Sequence, residues 1–301
     1  MLNVTPLSKP VAGETAFVGE VKDVDLREAM SESRFREVQA AWATYPVLVF
    51  RGQDLTTENH QAFAERFGKL MVRARPPAER GTNAQHNPSL MLVTNIHDES
   101  GKPIGSQGST FRFHTDGCFN EIPAMATLLY GIEIPKEGGE TLFVSMYQIY
   151  RALSEKTRRR IVGRDGVNYY FLEYDRLSES APTSEAILKK ARHSVHPLVI
   201  AHPVTRQPVV FSNRHNTREI VGMDQTEADD LLEEIFQTVE RPEFIYAHKW
   251  RPGDLVVWDN RATQHARADY SPNERRLLRR FAVLCTARPQ AYVETAVGAQ
   301  A

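Results

Sequence analysis

Phe113-His114-Thr115-Asp116-Gly117, taken with the distant stretch Trp258-Asp259-Asn260-Arg261-Ala262-Thr263-Gln264-His265, decides how this chain is read. His114 and Asp116 stand two residues apart, so in extended backbone both side chains leave one face, about 7 Å apart. One imidazole and one carboxylate there, joined by a second imidazole brought in by the fold, make the 2-His-1-carboxylate set that holds non-haem Fe(II) and leaves positions open. A His-x-Asp pair alone is weak, because many occur by chance. A lone histidine such as His265, closing a strand that runs into a turn, is more often satisfied by a nearby carbonyl. Weight has to come from other residues at set distances from these three.

The chain has 301 residues and a formal net charge of −1, so no global field advertises nucleic acid or an anionic membrane. Its 41% hydrophobic and 25% charged residues are those of a soluble globular protein with room for a substantial core. No apolar run approaches a membrane span, and Met1 to Glu20 has neither a basic n-region nor a long h-region. Two cysteines, Cys118 and Cys285, make no disulfide framework, and a reducing cytoplasm is the expected compartment.

Phe35, Val38, Ala41 and Trp42 recur at helical spacing, and Val47-Leu48-Val49-Phe50 reads as a buried strand. Thr56 or Thr57 caps a second helix carrying Phe63 and Phe67. Strands are expected within Phe17–Leu26, at Leu90–Val93, at Ala126–Ile134 and at Thr141–Val144, and a helix or helix pair over Tyr147–Val162. Leu198–Ile200 and Val209–Phe211 form a hairpin. A helix from about Glu227 has Thr226 three residues before Asp229, a capping-box spacing. Leu255–Trp258 and Arg276–Cys285 close the chain as strands. The polar, weakly patterned segments near 71–90 and 165–195 read as lids or inserts. Short strands with turn signals and a few helices predict a mainly β protein, a β-sandwich or jelly roll, as one domain over residues 1–301.

In Arg275-Arg276-Leu277-Leu278-Arg279-Arg280-Phe281, period-2 alternation puts Arg276, Leu278 and Arg280 on one face and Arg275, Leu277, Arg279 and Phe281 on the other. A basic, solvated edge strand is the plain explanation. Val283 and Leu284 make the strand otherwise apolar, however, so one face is buried. Two arginines about 13 Å apart on an inward face need anions, and a guanidinium grips a carboxylate bidentately. The eight remaining histidines that were weighed (His60, His86, His97, His193, His196, His202, His215 and His248) take the plain reading of satisfied side chains. His193-x-x-His196 lies on a polar connector without a third ligand, and no His-Glu-x-x-His of a zinc peptidase is present.

The chain resembles the Fe(II)/2-oxoglutarate dioxygenases of the taurine and 2,4-dichlorophenoxyacetate dioxygenase family over nearly its whole length. The resemblance rests on His114-Thr115-Asp116, on Gly138-Gly139-Glu140-Thr141, on Trp258 through His265, and on Arg276 and Arg280. Thr141 lies 27 residues after His114, and Arg276 and Arg280 lie 11 and 15 after His265, as the family spaces its co-substrate threonine, co-substrate arginine and substrate-anion arginine. The resemblance implies a double-stranded β-helix (jelly-roll, cupin-like) core with flanking α-helices. It implies Fe(II) on His114, Asp116 and His265, and 2-oxoglutarate held at its far carboxylate by Arg276 and Thr141. Arg280 would hold a small anionic organic substrate, with O2 at the remaining position. Succinate, CO2 and a hydroxylated product follow, and a homodimer or homotetramer is the assembly that relatives suggest.

The substrate is left open among a sulfonate, a sulfate ester, a phenoxyalkanoate and another carboxylate. Arg73, Arg75, Asn95 and Arg112 are polar candidates for contacting it, and Phe111, Phe113, Phe119 and Phe211 are candidate walls, with turn or core roles the plainer reading for each. Two other readings stand beside the small-anion oxygenase. One is a tailoring hydroxylase of a free or carrier-bound amino acid; the other is a jelly-roll binding protein with a structural metal or none.

Overall fold

Val47-Leu48-Val49-Phe50 is buried at all four positions, as a strand packed on both faces must be. The computed structural model describes residues 2–11, 14–72, 87–106, 112–170 and 191–294. The first half of the chain gives β1 (Asn3–Pro6), β2 (Val18–Lys22), α1 (Glu32–Thr44), β3 (Val47–Phe50), α2 (Thr57–Glu65), β4 (Met91–Thr94), β5 (Ala124–Glu133) and β6 (Thr141–Ser145). Next come α3 (Met146–Ala152), α4 (Glu155–Ile161), β7 (Asp165–Tyr169), β8 (His193–Pro197), β9 (Val199–Ala201), β10 (Pro208–Val210) and β11 (Thr217–Ile220). The chain closes with α5 (Gln225–Val239), β12 (Ile245–His248), β13 (Leu255–Asp259), β14 (Thr263–Arg267) and β15 (Leu277–Leu284).

A seven-stranded sheet runs β1-β2-β3-β13-β5-β15-β4, and a three-stranded sheet runs β12-β6-β14. Alternation along the strands assigns the layers. Leu48 and Phe50, Leu128 and Tyr130, Leu255 and Val257, and Phe281 and Val283 pack on one side of the large sheet with Phe35, Val38 and Trp42 of α1 and Phe63 and Ala64 of α2. Val47, Val49, Leu129, Val256, Trp258 and Leu278 point the other way and meet Phe143 of β6. Behind the small sheet, Val144 and Ala266 join α3, α5 and the β9–β10 hairpin in a third core. Two sheets face to face with helices outside make the jelly roll that the short strands predict.

Local signals explain most boundaries. Thr56 caps α2, its hydroxyl accepting from the Asn59 N–H at 3.2 Å, with the Asn59 side chain returning to the Thr56 N–H at 3.3 Å. The helix expected near Glu227 starts earlier than the Thr226 capping box implies. Asp224 is the N-cap, and its carboxylate accepts from the Thr226 N–H at 2.9 Å, so Thr226 lies inside the first turn.

The expected insert near 165–195 is in part a sheet. β7 pairs with β8 and β11, which bury the polar residues Asn168, His196 and Thr217. Hydrogen bonds make that burial affordable: Thr217 donates to Asn168 at 2.7 Å, and His196 Nε2 meets the Asn120 carbonyl at 2.8 Å. His196 is therefore a core residue rather than a surface one. Residues 73–86 and 171–190, with most of both expected inserts and with Arg73, Arg75 and His86, lie outside the described residues, as does Phe111.

The arginine strand divides as the alternation predicts. Arg279, on the helix side, donates to the carbonyls of Leu55 and Thr56 at 2.7 and 2.9 Å and to Thr57 Oγ1 at 3.0 Å, tying β15 to the start of α2. Beside it Phe281, fully buried, meets the His60 ring edge-on at 4.9 Å. Phe281→Ala is expected to cost about 3–5 kcal/mol in urea unfolding; a cost below about 1 kcal/mol would show that this layer is not a packed core.

Candidate functional site

The site lies between the two sheets, where the segment before β5 runs alongside β14. The His114 N–H donates to the His265 carbonyl, and the His265 N–H donates to the His114 carbonyl, each at 3.0 Å. This single antiparallel bridge brings the two imidazoles to 4.2 Å between ring centres. His265 thus sits in the middle of β14, not at the end of a strand, because the turn comes earlier, at Asn260–Ala262. One nitrogen or carboxylate oxygen from each of His114, Asp116 and His265 lies within 4.8 Å of the others.

The donor chemistry fits a divalent metal. His114 Nδ1 contacts the Arg112 carbonyl at 3.0 Å; since a carbonyl only accepts, this contact places the proton on Nδ1 and leaves Nε2 with a lone pair. His265 Nδ1 is buried with no hydrogen-bond partner. Burial, with the neighbouring His114, pushes the His265 imidazole down to about 3, so it is neutral at pH 7, the form a metal ligand requires. Burial opposes ionisation of Asp116, but Arg280, the two imidazoles and the Thr127 hydroxyl more than offset it and hold the carboxyl below its usual range. Arg280 carries the lasting part of that effect, because His265 is uncharged. Asp116 Oδ2 takes Thr127 Oγ1 at 2.6 Å and Arg280 Nη2 at 2.7 Å, while Oδ1 lies 4.0 Å from His114 Nε2.

A cavity of about 740 Å³ opens from this cluster, lined by Thr141, Arg267, Arg276 and Arg280 among others. Arg276 is 2% exposed, and its Nε has no partner. Burial, with Arg267 nearby, pulls its guanidinium down to about 10, which leaves it charged. Its Nη2 donates to the Gly139 carbonyl at 3.2 Å. Trp250 Nε1 donates to Thr141 Oγ1 at 3.0 Å, so the threonine's own proton is free to be given elsewhere. Gly139 has φ +70, and a Cβ there would stand 3.2 Å from Arg276 Nε. Gly139 therefore serves close packing of backbone on guanidinium, and Gly138, where a Cβ would clash with the Asp269 carbonyl oxygen, serves packing on the 269–270 backbone.

All six residues singled out in the sequence, His114, Asp116, Thr141, His265, Arg276 and Arg280, line this cavity. Two further lining residues carried a readable signal or a misleading one. Arg267 lies two residues after His265 on the same face of β14 and opposite Thr141 on β6, so the alternation used for β15 would have found it. His215 was read as a plain satisfied histidine; its ring lies 5.7 Å from that of His114, on a loop that no periodicity marks. Burial, with His114, Arg218 and Arg112, pushes it down to about 3.

Among the substrate candidates, Phe119 lines the cavity and stacks on Tyr170 at 4.3 Å, whereas Phe113 and Phe211 are core residues. Asn95 braces the arginine strand instead of facing substrate, its Oδ1 accepting from the Arg276 N–H at 3.0 Å. Arg112 contributes its carbonyl to His114. His202 and His248 pair with carboxylates, Asp259 at 3.1 Å and Asp254 at 3.2 Å, rather than with carbonyls.

Residues 3–282 match the family described as "Taurine catabolism dioxygenase TauD, TfdA family". Pentalenolactone F synthase of Streptomyces avermitilis is 31% identical over 284 residues, covering 90% of this chain and 92% of that protein. The alpha-ketoglutarate-dependent 2,4-dichlorophenoxyacetate dioxygenase of Cupriavidus pinatubonensis is 30% identical over 273 residues, with 89% and 94% covered. The solved structure of AAD-2 in complex with Mn(II) and N-oxalylglycine superposes with a TM-score of 0.74 at 30% identity, covering 97% of this chain and all of that one. A match over nearly the whole length, on top of the clustered His114, Asp116 and His265 and the arginines lining the cavity, establishes that the chain belongs to the taurine and 2,4-dichlorophenoxyacetate dioxygenase family and is an alpha-ketoglutarate-dependent dioxygenase.

Proposed function

We propose that this chain uses Fe(II), 2-oxoglutarate and O2 to hydroxylate a small organic acid with an apolar body. His114, Asp116 and His265 hold the metal. Arg276 and Thr141 hold the far carboxylate of 2-oxoglutarate, and Arg280 holds the acid group of the primary substrate. The observation that carries the reading is the pairing of a half-buried two-imidazole, one-carboxylate cluster with Arg276, a buried cation whose guanidinium donates to the Gly139 carbonyl and forms no ion pair among the described residues. Unlike Arg279, whose N–H groups meet several protein oxygens, Arg276 leaves Nε without a partner, so an anionic ligand would offset the cost of burying its charge. When bound, the metal supplies the centre at which O2 is activated as 2-oxoglutarate is oxidised to succinate and CO2.

The protein's share is position and dryness. Thr141, freed by Trp250 to donate, and Arg276 together offer three or more hydrogens to a carboxylate, which fixes the direction in which the keto acid enters. Arg280 reaches into the cavity from the same face of β15, a step of four residues nearer the metal ligands, and touches Asp116. Its Nη1 lies 3.4 Å from the sulfur of Met91, another residue lining the cavity. Met71, Met91, Phe119 and Ile122 line the outer part of the cavity and suit an apolar body. Lys69 and Arg192 also line the cavity and outnumber the one glutamate there, Glu121, which favours an anion over a cation.

The defining test is O2-dependent succinate formation from 2-oxoglutarate with Fe(II) and ascorbate, run with panels of carboxylates, phenoxyalkanoates, sulfonates and sulfate esters. Stimulation by at least one organic acid is expected; stimulation only by amino acids or their carrier conjugates would replace the substrate class, and none under any condition would reject the oxygenase reading. Arg276→Ala is expected to raise the 2-oxoglutarate requirement by roughly two orders of magnitude, since a buried charged pair is worth about 2–5 kcal/mol. Arg280→Ala should weaken the acid substrate far more than 2-oxoglutarate, and equal effects on both would dissolve this division. Gly139→Ala forces a residue at φ +70 against Arg276. At roughly 1–2 kcal/mol of strain it should raise the 2-oxoglutarate requirement roughly tenfold with little change in the maximal rate; an unchanged requirement would show that Arg276 does not depend on this turn.

A further inference from the structure

We infer that Thr127 and Asn260 are positioning residues that make Asp116 offer one oxygen, and not two, to the metal; the inference rests on the metal reading above. Every direction in this hydrogen-bond chain follows from chemistry. Trp258 Nε1 lies 3.1 Å from Asn260 Oδ1, and the Asp116 backbone N–H lies 3.3 Å from the same atom. Both partners can only donate, so that atom of Asn260 must be the oxygen and its amide nitrogen faces the other way. The nitrogen, in turn, sits 2.9 Å from Thr127 Oγ1 and donates to it. Thr127 has a single proton, and its other neighbour is Asp116 Oδ2 at 2.6 Å, an ionised oxygen that only accepts. The hydroxyl is therefore committed to Oδ2.

These hydrogen-bonded side chains are shielded from solvent. Thr127 is fully buried, and Trp258 and Asn260 are each 1% exposed. Thr127 lies on β5 directly opposite Trp258 of β13, so backbone register and side-chain chain reinforce one another. Arg280 adds a second donor to the same oxygen at 2.7 Å. With two donors Oδ2 is engaged, and Oδ1, which faces His114 Nε2, is the atom left to ligate. Asn260 also takes the backbone N–H of Asp116, so one side chain fixes both where the carboxylate begins and which oxygen it turns inward. A carboxylate free to swing could bind through both oxygens and occupy a position that the keto acid or O2 needs.

The experiment compares Mn(II) bound to the full-length wild-type chain, Thr127→Val, Thr127→Ser and Thr127→Ala. Electron paramagnetic resonance gives the dissociation constant, and water-proton relaxation gives the number of exchangeable waters beside bound Mn(II). Wild type should show about three open positions. Thr127→Val, which keeps the β-branched shape, should bind Mn(II) about 10–100-fold more weakly or with fewer exchangeable waters, at an unchanged urea midpoint. Thr127→Ser should restore both values, which a merely structural role would not require. Thr127→Ala gives the same comparison should the valine variant fail to fold. Val and Ala variants matching wild type in affinity and water number would overturn the inference while leaving the metal site intact. Wild type failing to bind Mn(II) at all would overturn the metal reading, and this inference with it.

Discussion

Two backbone hydrogen bonds, from His114 to His265 and back, are the constraint on which the rest of the molecule depends. They join segments 151 residues apart in the chain and set the distance between two imidazoles to within the reach of one ion. Around that bridge the β-sandwich acts as a clamp. β14 is held by β6, and the turn leading to Asp116 is held by Asn260 at the end of β13. The helices contribute little to the chemistry directly. They bury the outer faces of both sheets, so the inner faces can afford polar residues.

Charge is distributed along the same lines. β15 turns Arg279 outward to carbonyls at the start of α2, where backbone oxygens satisfy it, while Arg280 and Arg276, the residue just before the strand, face the cavity. The alternation thus separates a structural arginine from two that line the cavity. Asp116 answers Arg280, whereas Arg276 meets the Gly139 carbonyl and the Tyr270 ring and forms no ion pair among the described residues. This asymmetry is what the proposed assignment of one acid to Arg276 and a second to Arg280 rests on.

Much of this was legible in the sequence because it depends on short-range periodicity. Period-2 alternation placed Arg276 and Arg280 on one face, and Val47–Phe50 was plainly a strand. The His114, Asp116 and His265 set was legible only as a possibility of the fold, since no local signal says that two distant strands will pair; the spacings of the resembled family supplied that. What escaped was polar burial. Thr217 bonds Asn168 between β11 and β7, and His196 of β8 bonds the Asn120 carbonyl, so residues 165–195 lack an apolar pattern and read as a lid or insert. His215 was passed over for the same reason: its value lies in standing beside His114, which only tertiary packing decides. Thr127 and Asn260 looked like ordinary strand and turn residues, and their role appears only once hydrogen-bond directions can be followed.

His114, Asp116 and His265 would together hold one ion, to which 2-oxoglutarate would bind. Anaerobic titration of the protein with Fe(II) in saturating 2-oxoglutarate, followed by the visible metal-to-ligand charge-transfer band, tests this most directly. One equivalent of Fe(II) per chain should develop the band in wild type, and Asp116→Ala and His265→Ala should each abolish it while remaining folded. A band of undiminished strength in either variant, or none in wild type, would contradict the account.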